Sequence, residues 1–152
     1  MQLSDSLQPL TCGREFGDCL VAGMTFLELQ AALLKEVTGG EEIILAENAW
    51  ISPEELTCLL HTSPPTLVIG DEVVAKVASS SDERIDVSES GVLIRYPWDF
   101  LTLQERVLGR LKESRVEGDV HGQATVDGIV VLGKGSRVLP GVYIEGVAVI
   151  GR

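Results

Sequence analysis

Val120-His-Gly-Gln-Ala-Thr, Val126-Asp-Gly-Ile-Val-Val, Leu132-Gly-Lys-Gly-Ser-Arg, Val138-Leu-Pro-Gly-Val-Tyr, Ile144-Glu-Gly-Val-Ala-Val and the opening Ile150-Gly-Arg152 form a stretch written in units of six. An aliphatic residue leads every unit. Four places later comes a small or β-branched one: Ala124, Val130, Ser136, Val142 and Ala148. Glycine recurs throughout, as tight bends require. This strict register predicts a three-sided β-solenoid, with one short strand and one turn per hexad and three hexads per coil. A β-meander would instead alternate with period two, broken at irregular intervals. The hexads make fewer than two coils, and solenoid units bury their apolar faces only against neighbouring units, roughly three or more being needed for stability. The expectation is a fragment of a longer protein, in which further coils cover Val147, Val149 and Ile150.

Around that stretch, 152 residues with 45% hydrophobic content suffice for a globular protein of one or two small domains. No run of eighteen apolar residues and no basic leader before an apolar stretch is present, so neither a membrane span nor secretion is expected. Cys12, Cys19 and Cys58 show no metal-type spacing and read as reduced thiols in a cytoplasmic protein. Of the 12 basic and 23 acidic side chains, 4 of each lie in residues 114–152, leaving 8 against 19, a net −11, in residues 1–113. That acidic field repels phosphate backbones and argues against nucleic acid as a partner.

Residues 1–95 alternate helix and strand. Thr25-Phe-Leu-Glu28 is a capping box opening a helix that Gly39-Gly40 stops. Ile43–Ala46 is a short strand, and Ser52-Pro-Glu-Glu55 is a second capping box whose helix runs to about His61. Thr66–Gly70, Val73–Ala78 and Gly91–Arg95 are further strands, with an exposed loop at Ser79–Glu83. Continuous apolar strands between helices imply a mainly parallel sheet flanked by helices. After Pro97, Phe100, Leu103, Val107 and Leu111 fall on one face of a connector helix over residues 96–113. Its stripe is expected to pack on the sheet domain, with Tyr96 and Trp98 as the alternative ligand-binding element. Residues 114–152 then begin the solenoid.

Tyr96-Pro-Trp-Asp99, the helix after it, and the hexads from Val130-Val-Leu-Gly-Lys-Gly-Ser-Arg onward together resemble the junction in sugar-phosphate nucleotidyltransferases that carry a left-handed β-helix. This is the hexapeptide-repeat acyltransferase group of the bifunctional N-acetylglucosamine-1-phosphate uridylyltransferase/glucosamine-1-phosphate acetyltransferase. Leu7-Gln-Pro-Leu-Thr11, Arg14 and Gly23-Met-Thr-Phe-Leu-Glu28 resemble the start of a divergent branch. The resemblance implies a nucleotidyltransferase-like α/β domain followed by the first coils of a left-handed parallel β-helix. It also implies a sugar phosphate or nucleotide sugar as ligand, Mg²⁺ for nucleotidyl transfer, acetyl-CoA for acyl transfer, and a trimer held through the β-helix. Thr11 and Arg14 match the branch at its substrate-binding start, and Gly70-Asp71 matches the pair that carries a metal-binding aspartate.

The departures are specific. The glycine-rich Gly-x-Gly-Thr-Arg loop of active members is missing, its place being taken by Pro9-Leu-Thr-Cys-Gly-Arg-Glu-Phe16, and residues 1–95 span less than half of a nucleotidyltransferase domain. Asp71 alone makes a poor Mg²⁺ site, because this ion keeps its waters and takes further ligands from substrate phosphates; a turn aspartate between two strands is the simpler reading. His121 occupies the second place of the first hexad, where a surface turn competes with the histidine base of hexapeptide acyltransferases. His61 closes a helix, and Gly133-Lys-Gly135 follows from the hexad rather than from a phosphate loop. No catalytic group is assigned. The expectation is a segment of a nucleotide-sugar transferase that is inactive alone. The other reading is a non-catalytic scaffold, oligomerisation or ligand-sensing module.

Overall fold

The computed structural model describes residues 7–8, 11–37, 42–61 and 63–151. Pro9, Leu10, the Gly39-Gly40 helix stop and Arg152 lie outside them. In chain order the strands of the first part are β1 (Leu20–Val21), β2 (Met24–Thr25), β3 (Ile43–Leu45), β4 (Ala49–Ile51), β5 (Thr66–Ile69), β6 (Glu72–Val77), β7 (Arg84–Asp86) and β8 (Gly91–Leu93). The helices are α1 (Phe26–Val37), α2 (Pro53–Thr57) and α3 (Asp99–Gly109). Then come β9 (Arg115–Val116), β10 (Asp119–Val120), β11 (Thr125–Leu132), β12 (Arg137–Val138) and β13 (Tyr143–Ile150). Two compact units result: residues 1–19 with 25–103, and residues 20–24 with 104–152. The division falls inside α3, within the 96–113 connector.

In the first unit, α1 starts where the capping box places it. The Thr25 amide donates to Glu28 Oε2 at 2.9 Å, and the Glu28 amide donates to Thr25 Oγ1 at 3.2 Å. Phe26, Leu29 and Leu33 are its buried face. The Phe26 ring meets Phe16 at 5.0 Å and Phe100 at 6.0 Å, so the first turn of α3 contributes to this core. Ser52 Oγ accepts from the Glu55 amide at 3.4 Å with Pro53 next in line, and the short helix passes into a 3-10 turn, Cys58–Leu60.

The sheet is not the mainly parallel one expected. Its order is β3-β6-β5-β7, and only β5 and β7 run parallel; β3 with β6, β6 with β5, and the separate pair β4 with β8 are antiparallel. The reason is the length of the link. Only Gly70 and Asp71 separate β5 from β6, and a parallel return needs a crossover of about a dozen residues. Gly70 takes a φ of 61°, as a tight hairpin demands.

In the second unit strands of two and eight residues, not one short strand per hexad, pair at an offset of eighteen residues. β11 pairs parallel with β13 over its whole length, Thr125 with Tyr143 and Leu132 with Ile150, eighteen positions apart. β10 pairs parallel with β12 at the same offset, Asp119 with Arg137 and Val120 with Val138. Amides of one eighteen-residue level bond carbonyls of the next between the strands too: Asp119 to Ser136, His121 to Val138, Thr125 to Val142 and Gly133 to Ile150, with Gly141 to Gln123 in the reverse sense. Val130, Leu132 and Val138 are buried at the centre, with Val120, Ala124, Ile144, Ala148 and Ile150 packed against them. These are hexad leaders and fourth-after-leader residues. Val126 is the leader that departs, 39% exposed. Gly128 and Gly146 pair inside β11 and β13 with φ of 143° and 80°; a Cβ on Gly128 would run into the Gly146 carbonyl.

Candidate functional site

A cavity of about 420 Å³ lies wholly in the second unit. Its walls come from three places. The β1–β2 turn contributes Ala22, Gly23 and Met24, while Val107 and Leu111 come from α3 and the residues just after it. The third wall is the strand ladder, with Val131 and Val149 outward from the coil core and Arg115 and Glu117 beside them. Val131 and Val149 are half-buried in this cavity. The reason is that Val107 and Leu111, half of the apolar stripe on the connector helix, line the same space.

The turn that forms one wall is under strain. Ala22 has a φ of 48° and Gly23 one of 81°, the paired positive values of a type I′ hairpin, which favours Asn-Gly at these places. Ala22 is the one non-glycine residue with positive φ among the described residues. Such strain is characteristic of segments whose shape matters more than their stability.

Electrostatically the cavity is simple. Its ionisable lining consists of Arg115 and Glu117, which form an ion pair with each other while staying substantially exposed. Neither a nucleophile nor a base stands beside them in the lining. The arrangement suits binding of an apolar body with a polar end.

The residues singled out from sequence lie elsewhere. Thr11 is buried and its carbonyl accepts from the Arg14 amide at 3.3 Å, so these two share one turn, with Gly13 at a φ of 74° between them. Arg14 is exposed and its charge acts on Cys19. Burial raises the Cys19 thiol pKa above its ordinary value, an effect that Arg14 opposes and Asp18 reinforces. Asp71 is exposed at the tip of the β5–β6 hairpin, and among the described residues no group of three His, Cys, Asp or Glu side chains comes together as a ligand set. His121 is exposed; its Nδ1 accepts from the Gln123 amide at 3.2 Å and its own amide bonds Val138, as in a surface turn. Sequence reasoning missed the cavity because its walls are three remote segments. The local clue was Ala22-Gly23 between apolar residues, a hairpin signal of the weaker kind.

No protein-family model matches the chain, and no curated protein matches it. Among the described residues, no helix is long and apolar enough to cross a membrane.

Proposed function

We propose that this chain is a non-catalytic part of a cytoplasmic sugar-phosphate transferase of the hexapeptide-repeat kind: a shortened nucleotidyltransferase-like domain joined by α3 to the first coils of a left-handed β-helix. The observation that carries this reading is the parallel pairing at a constant offset of eighteen residues, three hexads to a level, directly after Tyr96-Pro-Trp-Asp99 and its helix. The segment serves as scaffold and assembly module. Mg²⁺, acetyl-CoA and the transferred groups belong to the activity of a complete transferase, with acyl transfer on the solenoid as its active half. Two features support inactivity of residues 1–152 alone: the missing glycine-rich phosphate loop and a cavity whose ionisable groups are one ion pair.

Calorimetric titration tests this directly. The purified chain is expected to show no micromolar binding of UTP with Mg²⁺ and to release no pyrophosphate when N-acetylglucosamine 1-phosphate is added. Micromolar affinity that disappears in Asp71→Ala would overturn the reading and make Asp71 a metal ligand, with Thr11 and Arg14 the first residues to examine for substrate contacts.

A further inference from the structure

The turn between β8 and α3 holds two aromatic rings in an arrangement that the scaffold reading does not use. Tyr96 and Trp98 are stacked, with ring centroids 4.8 Å apart and planes inclined by 15°. Aromatic side chains of this size are normally buried, yet Tyr96 is 45% and Trp98 61% exposed, while the chain's other tryptophan, Trp50, is 3% exposed. The rings are held by their backbone. One carboxylate oxygen of Asp99 accepts from the Arg95 amide at 2.7 Å and from the Tyr96 amide at 2.8 Å, and Pro97 separates the two aromatics. Beside them Arg95 is ion-paired with Glu72 at 2.5 Å, both side chains about half exposed.

We propose that this pair is a binding platform for the flat C–H face of a neutral pyranose ring. Mutual stacking covers one face of each ring and leaves a ring-sized apolar surface on Trp98. A pyranose matches that footprint, and its equatorial hydroxyls both donate and accept. The Arg95 guanidinium at this turn offers donors, and the Glu72 carboxylate that pairs with it from the start of β6 offers acceptors. A phosphate-bearing ligand is disfavoured, because residues 1–113 carry 19 acidic against 8 basic side chains and Asp99 and Glu72 are local acceptors. Because the rings are already ordered, binding needs little further loss of side-chain freedom. The inference stands whether or not the transferase reading holds, since it rests on this turn, its ion pair with Glu72 and the local charge.

The test is saturation-transfer NMR on the intact chain with three probes: methyl β-glucopyranoside, N-acetylglucosamine and uridine. The expected result is transfer to the ring C–H protons of both pyranoses, with saturable affinity on the order of millimolar, as for a shallow site. Trp98→Ala should lose about tenfold or more in affinity, Trp98→Phe should retain part of it, and Tyr96→Ala should weaken it with the melting temperature unchanged. Absence of pyranose transfer in the wild-type chain would overturn the proposal. So would equal transfer in Trp98→Ala, and so would uridine binding more tightly than either sugar, which would make the platform a nucleobase site.

Discussion

At Gly128 a single missing methyl group decides whether two levels of the ladder stack. Its φ of 143° is open to few residues but glycine, and a Cβ would meet the Gly146 carbonyl. Gly135 also has a positive φ, 81°, but nothing stands near where its Cβ would be. Gly135→Ala should therefore cost about 1–2 kcal/mol from backbone strain, and Gly128→Ala clearly more, because the clash adds to the strain. Equilibrium urea unfolding of the two variants gives the order, and equal losses would refute the stacking argument. Ala22 predicts the opposite sign. Replacing it by glycine or asparagine should relieve strain and stabilise the chain by about 1 kcal/mol, read as a higher melting temperature. The thiols give a third test. Burial, the largest cause, raises the pKa of Cys19 and Cys58, so both are more protonated when folded than when unfolded at alkaline pH. Their contribution to stability is intact below the ordinary value of 9.0 and is lost as pH rises through the raised folded values. Iodoacetamide at pH 8 should modify exposed Cys12 first, and equal rates at all three would contradict the burial of Cys19.

For single elements, local chemistry was legible wherever side chains bond within one turn. Thr25 and Glu28 cap α1 reciprocally, as their spacing announces. Thr25→Ala should cost about 1 kcal/mol; the Glu28→Gln change should add less than its own single effect in the double variant, since both act on one motif. Chemical denaturation of the four species measures that coupling. The hexads were legible for a related reason: a position that recurs every six residues faces the interior from successive sides of the coil, so Val120, Leu132, Val138, Ile144 and Ile150, though not Val126, share an interior. Strand direction was not legible from hydrophobicity. Thr66–Ile69 reads as a buried strand either way, and it is the two-residue Gly70-Asp71 link that makes its neighbour antiparallel. Attention to link length before strand composition would have corrected it. The aromatic turn shows the same limit: Tyr96-Pro-Trp-Asp99 marks a helix start, but the stacking of its rings needs coordinates.

For the whole molecule, charge and apolar surface are unevenly shared. Residues 114–152 are formally neutral, with 4 basic and 4 acidic side chains, while the rest carries −11. Leu139, Tyr143 and Val147 are exposed at 62%, 59% and 37% on that neutral part. Copies of the chain can therefore approach through the ladder with least repulsion, and a few hundred Å² of apolar burial per copy at ~25 cal/mol per Å² offsets a good part of the association cost. Sedimentation equilibrium should find a trimer in the micromolar range, with Tyr143→Lys shifting it towards monomer. A monomer at all concentrations would remove the assembly role proposed above.

The constant offset between β11 and β13 also sets which insertions and deletions the coding sequence can tolerate. Inserting eighteen residues between Thr125 and Ile150 would add one level and leave every side chain with an equivalent neighbour, because the pairing of Thr125 with Tyr143 and of Leu132 with Ile150 repeats at that offset. Removing six would keep leaders inward but carry the Gly128–Gly146 pair to another bend of the coil. Removing one would turn the interior outward along the rest of the ladder, as any one-residue slip does in a sheet. Length changes in this part of the gene should therefore persist in multiples of eighteen, less readily in multiples of six, and otherwise only within the turns.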